Sequence, residues 1–350
     1  MCRLLGFLTP KQLVNFKKSV CKSFLNSSRQ HSAKNRLFHT MAPRKVILDC
    51  DPGTDDAQAL MMLLAAKDEV DVIAVTTVFG NTEVENAKLN ALRTLQICGR
   101  LDIPVYGGAD RSLTGRPPHG DNFHGVDGFG DVPDKDMPSL DLIKKQNSSS
   151  FLVEIADQLP GEITLVATGP LTNLAVALRL DQAIGSKYEE LIIMGGNTQG
   201  KGNVTSSAEF NFFSDPEGAK VVLNEWKGPI IWVTKDICDD TAFDWDWYDS
   251  LVQLGTPKAK FIERIDTTIS AMRENCPKYL MWDQLAAAIA IDKSVAMETK
   301  AVYTTVEVTG ELTLGQSVTD WERPKKNPNV LLVTKVDTVK YGDLVKKAFL

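Results

Sequence analysis

Four acids open the chemistry of this chain: Asp49, Asp51, Asp55 and Asp56 fall within Val46-Ile-Leu-Asp-Cys-Asp-Pro-Gly-Thr-Asp-Asp-Ala-Gln-Ala-Leu60. An apolar run precedes them and a segment of helical period follows, so they converge where a buried strand hands over to a helix. Helix capping accounts for one or two of them, because an Asp in the first turn satisfies free backbone N–H groups and suits the helix dipole. Packing more anions beside an apolar strand is costly unless a cation or a proton compensates. No thiolate or imidazole is read as joining them, and an oxygen-only donor set points to a hard cation such as Ca²⁺ or Mg²⁺.

The elements that must position these acids follow a regular beat. Short runs rich in Val and Ile alternate with longer segments of helical period, the pattern of parallel strands with helical crossovers. Strands are expected at 46–50, 71–78, 163–168, 191–194 and 230–234, with helices over 55–67, 83–97 and from Leu171. The expected fold is a single α/β domain over 45–350, doubly wound, with a mostly parallel central sheet flanked by helices. In such sheets ligands bind outside the carboxyl ends of the strands, where the acids stand. Segment 107–150, rich in Gly, Pro, Asp and Ser, breaks the beat and reads as a long functional loop. After Ala301 added strands are expected, with Gly310 and Gly315 at turns and a last helix near 341–349.

Composition narrows the partners. The chain of 350 residues carries a formal charge of -6, yet ten Lys or Arg precede Asp49, the first acid, which leaves -16 on residues 49–350. A body so acidic lacks the clustered cations that bind nucleic acid, and small molecules or metal cations are the expected partners. No stretch approaches the roughly 20 apolar residues of a membrane span. The six cysteines form no CxxC pair or zinc spacing, which suits a reducing compartment. Of four histidines, His31 and His39 lie in the leader, so the body must work with His119 and His124. The basic, acid-free leader 1–44 has the composition of a mitochondrial transit peptide, while Met41 offers an alternative start with a cytosolic product.

Asp51-Pro-Gly-Thr-Asp-Asp56 at the end of the first strand resembles the signature of the inosine-uridine-preferring nucleoside hydrolase family. The likeness continues through Thr76-Thr-Val-Phe-Gly-Asn81, Ala167-Thr-Gly-Pro-Leu-Thr-Asn173, Met194-Gly-Gly196, Gly202-Asn203, Ala208-Glu-Phe-Asn211, Asp215-Pro-Glu217 and Trp282-Asp283. It covers the chain from about residue 45 onward.

Carried over position by position, the resemblance implies a Rossmann-like nucleoside hydrolase fold and an N-ribohydrolase that releases ribose and free base. It implies Ca²⁺ held by Asp51, Asp56, the Thr168 carbonyl and Asp283, with Asp51 also the general base. Asp55 and Asn211 match residues that hold the ribose 2'- and 3'-hydroxyls, and Asn203 and Glu209 match those at the 5'-hydroxyl. Asn81 and Met194 fall at substrate-binding positions. His124, in Asn122-Phe-His-Gly-Val-Asp127, resembles a mobile-loop His that closes over the substrate. Where many members carry His before the metal-binding Asp, this chain has Trp282, as purine-preferring relatives do. A homodimer or homotetramer is the expected assembly.

Two other readings use the same residues. Gly195-Gly-Asn-Thr-Gln-Gly-Lys201 is a near-match to a phosphate loop, but Gly202 stands where Ser or Thr should hold Mg²⁺. A calcium or nucleoside binder without turnover would keep the ligand positions and dispense with the base.

Overall fold

A computed structural model describes residues 42–116, 122–322 and 326–350. The expected leader, His119 and the first residues of the 107–150 segment's central stretch at 117–121 lie outside the described residues, except for 42–44 at the leader's end.

A ten-stranded sheet organises the body, in the order β4-β3-β2-β1-β5-β6-β7-β10-β8-β9. Its strands are β1 (Arg44–Cys50), β2 (Val70–Thr77), β3 (Val105–Gly107), β4 (Ile143–Lys144), β5 (Ile163–Ala167), β6 (Glu190–Met194), β7 (Ile230–Val233), β8 (Ala296–Val306), β9 (Ser317–Asp320) and β10 (Val330–Val336). All pairings from β4 across to β10 are parallel, and β8 and β9 add an antiparallel margin. The chain runs outward from β1 to β4, then resumes with β5 on the other side of β1. This reversal opens a crevice at the carboxyl ends of β1 and β5, the place where doubly wound sheets bind ligands.

The sequence explains why β1 is central. Val46-Ile-Leu48 is buried on both sides, as a strand covered by helices on both faces must be. On one face pack α1 (Thr54–Ala65) and α2 (Val84–Ile97); on the other, α3 (Ser148–Gln158) and α4 (Thr172–Leu180). Behind α4 comes the short α5 (Phe210–Ser214), then α6 (Pro216–Glu225). Helices α7 (Lys235–Asp240), α8 (Trp245–Val252), α9 (Pro257–Ile265) and α10 (Thr267–Ala271) lead to α11 (Asp283–Ile291), and α12 (Thr338–Ala348) closes the chain. Helix α11, Asp-Gln-Leu-Ala-Ala-Ala-Ile-Ala-Ile, is buried along its whole length and packs on α1, whose residues 54–63 are also buried. Its small alanines let the two helices approach closely, which brings the N-termini of both to the same end of the sheet. Truncating Leu60, buried on α1, would cost about 2–5 kcal/mol.

Segment 107–150 is more ordered than its composition suggests. It contains β4 and the start of α3, which opens on Asn147 as its cap. A two-residue strand is too short to show a period, and Ser148-Ser149-Ser150 reads as loop. Here Ser148 and Ser149 instead turn their hydroxyls onto the carbonyls of Tyr106 and Asn173. Strand β8 starts at Ala296, before the expected strand region, and Gly310 and Gly315 lie in the connection to β9. Among the described residues no helix is long and apolar enough to cross a membrane.

Candidate active site

Asp51 follows β1 directly, and Pro52-Gly53 turns the chain into α1. The Asn81 backbone N–H donates to Asp51 Oδ2 at 2.7 Å, while Oδ1 is buried without a hydrogen-bond partner. Two glycines make room for this carboxylate. A Cβ on Gly80 would run into Oδ2, and one on Gly169 would stand 2.7 Å from Oδ1.

Asp56, in the first turn of α1, satisfies both readings of its sequence position. Its Oδ2 accepts from the Gly53 N–H at 3.0 Å as a cap does, and from Asn81 Nδ2 at 3.2 Å, while Oδ1 accepts from Thr168 Oγ1 at 2.7 Å. Asp283 opens α11, buried, with Oδ2 lacking a partner. Oxygens of Asp55, Asp56 and Asp283 all lie within 4.8 Å of one another, and Asp51 stands close enough for its charge to act on Asp283.

Burial dominates the electrostatics. Desolvation, then the charge of Asp56, holds Asp51 well above the usual carboxylate range. Asp283 is raised likewise by desolvation, then by Asp55, Asp56 and Asp51. Asp56 is pushed up to about 7 and Asp55 to about 6, burial again leading. Such acids cannot all be anionic together without a compensating cation. The orphaned Asp51 Oδ1 and Asp283 Oδ2, in an oxygen-only set, fit a hard divalent ion.

Other polar groups border this cluster. Asp49 accepts on Oδ1 from Thr76 Oγ1 at 2.6 Å and Asn173 Nδ2 at 2.8 Å, with Oδ2 buried and unpartnered, and it is not among the acids whose oxygens cluster, where Asp283 joins Asp55 and Asp56. An imidazole does stand near, contrary to the reading that none joins the acids, with His124 Nε2 3.3 Å from Asp55 Oδ1, while Cys50 lies among them as a thiol and not a thiolate. Its thiol donates to the Thr76 carbonyl, and burial together with the surrounding carboxylates keeps it protonated.

Beside the cluster is a pocket of about 380 Å³ lined by Asp55, Asn81, Thr168 and Asp283. Met194, Asn203, Glu209, Asn211, His124 and Trp282 line it as well. Asp51 and Asp56 lie beneath the lining, reached through Asn81 and Thr168. Asn211 Nδ2 donates to the Thr168 carbonyl at 2.7 Å and to that of Met194 at 3.2 Å, which ties α5 to the ends of β5 and β6. Glu209 is buried rather than a surface carboxylate. It caps α5 through the N–H groups of Asn211 and Phe212 and takes the Gly196 N–H at 2.6 Å. Asn203 is exposed at the rim. Phe210, inside the Ala208-Glu-Phe-Asn211 motif, also lines the pocket, as do Met272 and Val204, apolar residues outside every motif singled out in the sequence.

A family model described as inosine-uridine preferring nucleoside hydrolase matches residues 46–343. The chain belongs to that family. An inosine-uridine preferring nucleoside hydrolase of Crithidia fasciculata is 34% identical over 316 residues, covering 87% of this chain and 97% of that protein. A pyrimidine-specific ribonucleoside hydrolase, RihB of Escherichia coli, is 37% identical over 242 residues, covering 67% and 74%. The solved structure of an inosine-guanosine nucleoside hydrolase superposes with a TM-score of 0.82 at 31% identity, covering 87% of this chain and 98% of that one.

As a nucleoside hydrolase, the protein acts on the N-glycosidic bond of ribonucleosides. The stretch resembling a phosphate loop has no phosphate site in this nucleoside hydrolase. The Gly196 N–H is taken by Glu209 and the Thr198 N–H by Asp236, so carboxylates occupy the amides that a phosphate would need.

Proposed function

We propose that this nucleoside hydrolase prefers purine ribonucleosides, with Asp51 as general base and Ca²⁺ held by Asp51, Asp56, Asp283 and the Thr168 carbonyl. The observation that carries the reading is the pair of unpartnered buried oxygens, Asp51 Oδ1 and Asp283 Oδ2, among the acids beneath the pocket. A bound divalent ion there supplies positive charge that acidifies a water and orders it.

Asp51 takes the proton from the attacking water, as a carboxylate beside it can. The water oxygen forms a bond to C1', and the C1'–N electron pair departs with the base, which takes its proton from a second, solvent water. Positive charge builds on the ribose ring as the bond breaks, and the surrounding carboxylates oppose it. Asp55 and Asn211 hold the 2'- and 3'-hydroxyls, Asn203 and Glu209 the 5'-hydroxyl, and Asn81 and Met194 support the ribose. Glu209 and the acidic surroundings disfavour a 5'-phosphate. His124 closes over the sugar from its loop.

The purine preference rests on Trp282. Its Nε1 donates to Asp239 Oδ1 at 3.1 Å, which steadies the ring, and Phe123 lies beside it with ring centroids 5.6 Å apart. A large aromatic face in the pocket lining can stack on a bicyclic base. The protein acts as a homodimer or homotetramer in the cytosol or the mitochondrion.

One assay tests reaction, metal and specificity together. Inosine, guanosine, adenosine, uridine and cytidine are each scored for free ribose, with and without a chelator and with Ca²⁺ restored. Equal efficiency on inosine and uridine would remove the purine preference, and chelator-insensitive turnover would remove the metal.

A further inference from the structure

An indole has a single donor, and that of Trp282 goes from Nε1 to Asp239 Oδ1 on α7. The other oxygen of the same carboxylate, Oδ2, accepts from Lys235 Nζ, one helical turn earlier. Each donor has an oxygen of its own, so the ammonium braces the carboxylate without competing with the indole. Lys235 is fixed in turn, because its backbone N–H donates to the Gly196 carbonyl at 2.9 Å. The Trp282 backbone is tied to the same helix through the Cys238 thiol, which donates to its carbonyl at 3.6 Å.

Packing alone does not fix the ring. Trp282 lines the substrate pocket and also a second cavity of about 70 Å³, which it shares with Trp245, Ile269, Cys276 and Tyr279. Phe123 meets the indole tilted by 58°, not stacked flat against it. The torsion that turns an indole about its stem is broad, so a ring with open volume beside it is free to turn unless its edge is held. Asp239 lines neither cavity and acts on them only through that edge.

We propose that Asp239, braced by Lys235, is a positioning residue for base specificity: it pins the Trp282 indole in place against the base and keeps it out of the neighbouring cavity. The inference rests on the reading of Trp282 as the surface on which the base stacks.

The test is a double-mutant cycle on the full chain. Asp239→Ala is made alone and together with Trp282→Phe, whose ring can stack but has no N–H to donate, and ribose release from inosine and uridine is measured beside the melting temperature. Alone, Asp239→Ala should lower kcat/KM for inosine roughly tenfold, the worth of one hydrogen bond to a charged group, and lower that for uridine less. In the Trp282→Phe background it should change neither. Asp239→Asn, which keeps an acceptor oxygen, should recover most of the inosine activity. Equal losses in both backgrounds would mean that Asp239 acts independently of the indole, and would overturn the proposal. Nitrogen NMR of the indole N–H, assigned by its disappearance in Trp282→Phe, reads the tether without turnover: the signal should move and broaden in Asp239→Ala, and an unmoved signal would refute the positioning role. If Trp282→Ala abolishes the inosine preference while Asp239→Ala spares it, the positioning role fails alone; if both spare it, the stacking reading fails.

Discussion

Asp283 and Asp56 place carboxylate oxygens within 4.8 Å of each other, although one begins the buried α11 and the other lies in the first turn of α1. Like charges so close and so dry repel unless a cation or protons intervene. The packing of α11 on α1 therefore does more than fill the core, because it assembles a site that neither helix contains alone.

Replacing Asp51 by Asn removes the base but leaves the ribose grips. Turnover should fall by about 10²–10⁴-fold, while inosine affinity measured by calorimetry stays within a few-fold. Undiminished ribose release would show that another group takes the proton, and a pure binder would show no turnover to lose.

Chelation should silence the enzyme and soften it. Ca²⁺ binding only the folded state raises the melting temperature with concentration, by about 2.7 kcal/mol of stability at a hundredfold excess over Kd. A scanning calorimetry titration measures the shift, and a melting temperature indifferent to Ca²⁺ argues against the site.

Gly80→Ala tests the space around Asp51. The new Cβ meets the Asp51 carboxylate, and overpacking of this kind costs about 1–3 kcal/mol. The expected outcome is a lower melting temperature together with loss of turnover. Wild-type activity in a stable variant would show that the backbone yields there.

Trp282→Ala should strip a stacking surface from the base. Stacking of a base on an aromatic ring is worth about 1–3 kcal/mol, so kcat/KM for inosine should drop by about tenfold or more while uridine loses less. Parallel losses on both substrates would make Trp282 a structural aromatic.

Glu209 makes stability depend on pH. Burial raises its carboxyl from 4.5 to about 7, against the pull of the amides of Asn211, Gly196 and Phe212. A raised folded value means that its contribution is fully present below pH 4.5 and is lost as pH rises through about 7. Glu209→Gln, which cannot titrate, should flatten the melting temperature between those limits relative to the parent protein. An unchanged slope would assign the pH dependence to other groups.

Much of this protein was legible in its residues alone. The alternation of Val- and Ile-rich runs with helical periods announced a doubly wound sheet, and an apolar strand running into Asp51, Asp55 and Asp56 announced a site at its carboxyl end, because burying a strand on both faces and exposing acids at its tip are one-dimensional patterns. The fate of individual acids was not legible. Asp49 and Asp51 look alike in sequence, yet the side chains of Thr76 and Asn173 hold the first, whereas the second takes the Asn81 backbone N–H and acts on Asp283. The Asn147 cap and the short β4 hid inside a polar segment for the same reason, since their partners lie on other strands and helices. Only the tertiary structure decided that Asp283 joins the cluster and that Glu209 is sunk into a helix cap. Residue types and spacing report what a segment must bury; which buried polar groups meet depends on how the helices pack across the sheet, and that is a property of the folded chain.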